Sequence, residues 1–207
     1  MSALRLSLSR GYAGLGDVAE AARLAEEVLR VRVQADGALA RTTLPARVSL
    51  AEHVGRLGEL PRSIAQFDTA IRIQQMGSDV APREVAVLLQ ARARALFAAG
   101  ALDAAERGER EVIALFDAIG DRATVPYAHA WQVLGQIQHR RGQLAAADSS
   151  LRTSLAVRED MRGNPVEIAN VEGDLGKVQL ARGDHAAAMT LLTRSRARKV
   201  AALGAQD

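Results

Sequence analysis

The sequence predicts an all-α protein, a single α-solenoid of five stacked helix hairpins and ten helices over residues 1–207. Three observations predict it. A short element, Gly16-Asp17-Val18-Ala19-Glu20-Ala21, returns as Gly58–Ser63, Gly100–Ala105, Gly142–Ala147 and Gly183–Ala188, its glycines spaced 42, 42, 42 and 41 residues apart. A fixed period in that range is the mark of a stacked repeat array. Residues are 48% hydrophobic but only 3% aromatic, so a continuous core must be built of Ala, Leu, Val and Ile. No long stretch alternates apolar and polar residues with β-branched enrichment, which argues against a sheet.

Taken in order, the repeats are expected at about 2–42, 43–81, 82–122, 123–163 and 164–207, and each reads as two helices. The ten are expected at 2–14, 17–34, 44–57, 60–76, 82–99, 102–119, 124–141, 144–161, 165–182 and 185–203. The fourth hairpin shows the logic. Val125, Ala128, Trp131, Leu134 and Ile137 recur every three residues on one face, and Gly142 breaks that helix. Leu144, Ala147, Leu151, Leu155 and Ala156 make the stripe of the next, which Gly163 stops, with Pro165 after it. Glycine takes the left-handed conformation at a helix end and proline cannot continue a helix. The same punctuation returns as Gly37 before Pro45, Gly77 before Pro82 and Gly120 before Pro126, with Gly204 closing the last helix. The stretch Asp36 to Thr43 is expected to be the longest connection.

Composition bounds the function. There are no cysteines, so disulfides and thiolate metal sites are excluded. No apolar run is long enough to span a bilayer, and Met1-Ser2-Ala3-Leu4-Arg5 lacks the apolar core of a signal peptide. A cytoplasmic location is therefore expected. The net charge of +3 is mildly basic and interspersed, short of a nucleic-acid footprint.

With the organising glycine counted as position 15, position 8 is Ser9, Ala51, Ala93, Gly135 and Gly176, and position 20 is Ala21, Ser63, Ala105, Ala147 and Ala188, all small. Small residues at both positions let the two helices of a hairpin approach closely. Leu50, Leu134 and Leu175 at position 7, with Phe67, Leu151 and Leu192 at position 24, are expected to fill the layers between hairpins. This pattern, with Trp131 at position 4 and Leu134-Gly135 after it, resembles the tetratricopeptide repeat (TPR) over essentially the whole chain. The usual repeat has 34 residues. The longer repeats here resemble those of kinesin light chains and of many bacterial regulators. A period near 42 also fits HEAT and armadillo arrays. The asparagine ladder that such long repeats often carry at position 6 is absent, the residues being Ser7, Ser49, Ala91, Val133 and Asp174.

The resemblance implies a right-handed superhelix with its first helices on the concave side, and groove-facing positions 2, 5, 9, 12 and 13. Positions 9 and 13 supply one basic residue per repeat: Arg10, Arg56, Arg94, Arg140 and Lys177. Gln90, Gln132, Gln136 and His139 accompany them, while Glu52 and Asp174 interrupt the row. These nine basic and polar residues form the expected partner-binding groove. Its expected occupant is a protein or peptide, acidic or carboxylate-bearing, because guanidinium groups hold carboxylates in bidentate fashion. The expected function is a non-catalytic protein-interaction scaffold. The alternative is the ligand-sensing arm of a larger bacterial kinase or transcriptional activator.

No catalytic, cofactor or metal site is expected. Gly11-Tyr12-Ala13-Gly14-Leu15-Gly16 has the wrong glycine order for a phosphate loop, and no strand precedes it. His129 and His139 share a helix face but lie about 15 Å apart along it, too far for one metal. Three further expectations follow. Arg92 and Glu109 replace the apolar pair at positions 7 and 24 of repeat three and are expected to form a buried ion pair; a solvated face over 106–111 is the alternative. Arg194, Arg196, Arg198 and Lys199 are expected to be a solvated helix end. The chain is expected to be a piece of a longer array, with Met189, Leu191, Leu192 and Val200 exposed on the last helix and available for self-association.

Overall fold

The structure is a computed structural model and describes residues 2–76 and 81–204. The stop signal at Gly77 falls outside them. Among the described residues there are ten α-helices: α1 (Ser2–Gly14), α2 (Val18–Asp36), α3 (Leu44–Arg56), α4 (Leu60–Gln75), α5 (Pro82–Ala98), α6 (Leu102–Ala118), α7 (Val125–Arg140), α8 (Leu144–Asp160), α9 (Pro165–Ala181) and α10 (His185–Gly204). No strand is present among them. The long connection before α3 carries a single 3₁₀ turn, Arg41–Thr43.

The five organising glycines do what their recurrence requires. Gly16, Gly58, Gly100, Gly142 and Gly183 all have φ between 72° and 91°, a conformation that side-chain-bearing residues adopt at a cost. Prolines sit in the first turns of α3, α4, α5, α7 and α9, where the missing N–H is not needed. The side chains of Asp17, Thr124 and Asn164 cap α2, α7 and α9.

The chain divides into two compact units, Met1–Gly108 and Glu109–Asp207, with the division inside α6. In the first, α2 packs on α3 through Ala22, Ala25, Val28 and Leu29 against Ala46, Leu50 and Val54. Phe67 of α4 packs with Ala51 and Ala91. Arg92 pairs with Asp68 at 2.7 Å.

In the second unit, Ala147 and Leu151 of α8 meet Val171, Leu175 and Val178 of α9, with Leu191 of α10 at the edge. Phe116, Tyr127 and Trp131 stack edge to face, with centroids 6.2 and 6.3 Å apart. Glu109 is fully buried, which overturns the alternative of a solvated face there. The last helix also departs from a solvated end. Arg194 and Arg198 both reach the fully buried carboxylate of Glu172, at 2.6 and 3.0 Å. Of the apolar strip expected on α10, Met189, Leu192 and Val200 are exposed, while Leu191 is drawn into the core.

Candidate functional site

In the first unit, α1, α3 and α5 lie side by side and present one continuous face. Two cavities open on it. The first, of about 470 Å³, is lined by Leu6 and Arg10 of α1, by Pro45, Val48, Ser49 and Glu52 of α3, and by Glu84, Val87 and Leu88 of α5, with Gln74 of α4 at its end. The second, of about 400 Å³, is lined by Glu52, His53 and Arg56 of α3, Phe67 of α4, and Ala91, Arg94, Ala95 and Ala98 of α5. Glu52 lines both. Residues at positions 2, 5, 9 and 13 of the repeat line these two cavities.

The charges of this face fall into two classes. Among the described residues, Arg10, Glu52 and Arg94 make no hydrogen bond or ion pair. Arg56 spends two N–H groups on the Ala13 carbonyl, each at 3.3 Å. Glu84 accepts from Gln74 and lies 4.0 Å from Arg41. Gln90 is half-buried on α5.

Behind the face lies a buried polar cluster. Ser9 donates to the Ala21 carbonyl at 2.7 Å, so its oxygen accepts from His53 Nε2 at 3.1 Å; Ser49 lies 3.2 Å from the same nitrogen. That arrangement puts the histidine proton on Nε2 and leaves Nδ1, buried and without a hydrogen-bond partner, as the site a second proton must take. Burial, and then the nearby Arg56, hold the His53 pKa below 6.5. The unfolded chain therefore binds more protons than the folded one just below pH 6.5. Stability is expected to be full above about pH 6.5 and to fall as pH drops through that value. Urea midpoints measured from pH 8 to pH 5 check this, and His53→Gln should flatten the profile.

In the second unit the predicted residues come together differently. Gln132 is buried and Gln136 half-buried, and both donate to Asp174, at 3.0 and 2.6 Å. Lys177 pairs with the other oxygen of Asp174 at 3.0 Å. The acid that interrupts the row in sequence is the centre of the cluster in space. It neutralises Lys177 and ties up amides expected to face a ligand. These residues, with Asn170, Ser195 and Lys199, line a cavity of about 400 Å³. His139 is half-buried and Arg140 exposed at the end of α7, and neither lines it.

Sequence reasoning missed Gln74, which lies on a second helix, and Glu84, which lies in the first turn of α5 ahead of the counted groove positions. They meet where α4 hands over to α5, a place that no helical period marks. As a second-helix residue, Arg158 is expected on the convex surface by the same resemblance. Arg158 is 4% exposed, pairs with Glu167 and donates to Gln132 at 3.1 Å. Its position on the second helix of its hairpin was legible, but the carboxylate that draws it inward comes from the next repeat.

Among the described residues, no cluster of His, Cys, Asp or Glu could hold a metal ion. No helix there is long and apolar enough to cross a membrane.

No protein-family model matches the chain. No curated protein matches it either. Solved structures do. The chain is similar to the crystal structure of BtubC (BKLC) from P. vanneervenii, with 20% identity and a TM-score of 0.80, over 95% of this chain and 79% of that one. It is similar to a putative kinesin light chain of Podosopora anserina with nearly identical TPR-like repeats, at 20% identity and a TM-score of 0.77, over 95% and 93% of the two chains. It is also similar to the Rap conjugation gene regulator of plasmid pLS20 in complex with a Phr peptide, at 16% identity and a TM-score of 0.72, over 94% of this chain and 53% of that one. With the helix order and the glycine register, these likenesses establish that the chain has a tetratricopeptide-type fold, an all-α helical repeat solenoid.

Proposed function

We propose that this protein is a non-catalytic interaction module that holds a peptide or protein segment against the first helices of its hairpins, with Arg10, Arg56 and Arg94 as charged contacts. The observation that carries the proposal is the face of α1, α3 and α5, where two adjoining cavities combine apolar walls with unpaired charges. Few polar groups over apolar walls are what a binding site requires. The exposed guanidinium groups of Arg10 and Arg94, unpaired among the described residues, carry little desolvation cost in the free state and gain a partner in the bound one. The likeness to a regulator solved with a bound peptide supports the same reading.

That likeness spans 53% of the regulator's length, which favours a second reading as well: a ligand-sensing part of a larger signalling protein. Asking whether ligand binding changes an output activity of the protein expressed from its intact gene separates the two.

A partner captured on the immobilised protein and identified by mass spectrometry provides the test. Its binding should weaken as salt rises. Arg56→Glu with Arg94→Glu should abolish it at unchanged melting temperature. Reversing the exposed Arg30 and Arg72, on second helices, should do little. Equal effects of the two pairs would place the binding surface elsewhere. The exposed Met189, Leu192 and Val200 support α10 as a self-association surface, for which a sedimentation coefficient that rises with concentration is expected.

A further inference from the structure

The two cavities of the first unit share Glu52 but differ in charge. The first sets Arg10 against Glu52 and Glu84, over Leu6, Val48 and Val87. The second sets Arg56 and Arg94 against Glu52 alone, over Phe67, Ala91 and Ala95. Glu84 is already occupied by Gln74, whereas Glu52 has no partner among the described residues. Along α3, Val48, Glu52 and Arg56 follow one another at intervals of four, so they share a helix face. At 1.5 Å per residue that face runs apolar, acidic, basic over about 12 Å.

We propose that Glu52 is the specificity-determining residue of this face. The ligand it selects is an extended peptide of mixed charge, with an apolar side chain among Leu6, Val48 and Val87, a basic one at Glu52 and a carboxylate on Arg56 and Arg94. This rests on the groove proposed above and narrows it, because net acidity is then not the property selected. A uniformly acidic segment sets a carboxylate against Glu52 over apolar walls, where like charges reject a ligand more strongly than in open water. The spacing follows from the helix. An extended chain advances about 3.3 Å per residue and puts alternate side chains on one face. Side chains at i, i+2 and i+4 therefore fall about 6.6 Å apart, matching the steps of about 6 Å between Val48, Glu52 and Arg56. The expected pattern is apolar, any, basic, any, acidic, in either chain direction.

The experiment pans a randomised peptide library displayed on phage against the wild-type chain, Glu52→Gln, and the pair Arg56→Gln with Arg94→Gln. Selected peptides are then titrated by fluorescence anisotropy. All three substituted residues are exposed, and circular dichroism confirms that the helices persist. Wild-type protein should enrich the alternating pattern. Glu52→Gln should lose the preference for the basic residue, by up to about five-fold in affinity, and keep that for the acid. The arginine pair should do the reverse. Enrichment whose charge pattern is the same for wild type and Glu52→Gln overturns the role of Glu52 and leaves the groove standing. Failure of the wild type to enrich any peptide over an unrelated protein overturns the groove, and the role of Glu52 with it.

Discussion

Replacing Arg194 and Arg198 together by methionine is expected to destabilise the protein by about 3–5 kcal/mol, read as a shift in denaturation midpoint. Glu172 of α9 is 0% exposed, and a single carboxylate oxygen receives both guanidinium groups of α10. Its second oxygen is buried without a hydrogen-bond partner. With the arginines gone, the buried charge keeps its desolvation cost and loses its compensation. Glu172→Met in the wild-type background should cost far less, because the desolvation cost leaves with the charge. Arg198→Met alone should fall between, since Arg194 remains. A double variant no less stable than the wild type at pH 7 would show that the pair does not compensate Glu172.

Gly135→Val is expected to cost on the order of 3 kcal/mol, through overpacking of α7 on α8. A Cβ at Gly135 would lie 2.6 Å from Leu151 Cγ, 3.0 Å from its Cδ2 and 3.2 Å from the Ala147 carbonyl. Leu151 is fully buried and cannot swing away, and the carbonyl is backbone. Gly135→Ala sets about 1 kcal/mol of helix propensity against that crowding and should still come out destabilising. Gly11 of α1 is the control. Nothing lies within 4 Å of a Cβ there, so Gly11→Ala should stabilise by about 0.5–1 kcal/mol. Thermal melts of the three variants check the ordering. Gly135→Ala matching Gly11→Ala would mean that the hairpin can open at no cost.

The sequence by itself determined the helices and their register. Gly16, Gly58, Gly100, Gly142 and Gly183 act on their own backbone, and proline and apolar spacing act within one or two turns, so their effects need no distant partner. Close hairpin packing was legible for the same reason: Gly135 opposite Leu151 repeats a spacing fixed by the period. Only the tertiary structure decided which charges are free. Asp174 takes Gln132 from 42 residues away, Arg158 turns inward to Glu167 and Gln132, and Glu172 gathers two arginines from α10. Arginine, glutamine and glutamate side chains have long reach and several rotamers, and the sequence alone does not say which of them meet. Which pair forms depends on burial and on the offset between neighbouring helices, and neither is written in the period. That is also why Glu52, an interruption of a basic row in the sequence, becomes in space the one carboxylate of the candidate groove that lines both cavities.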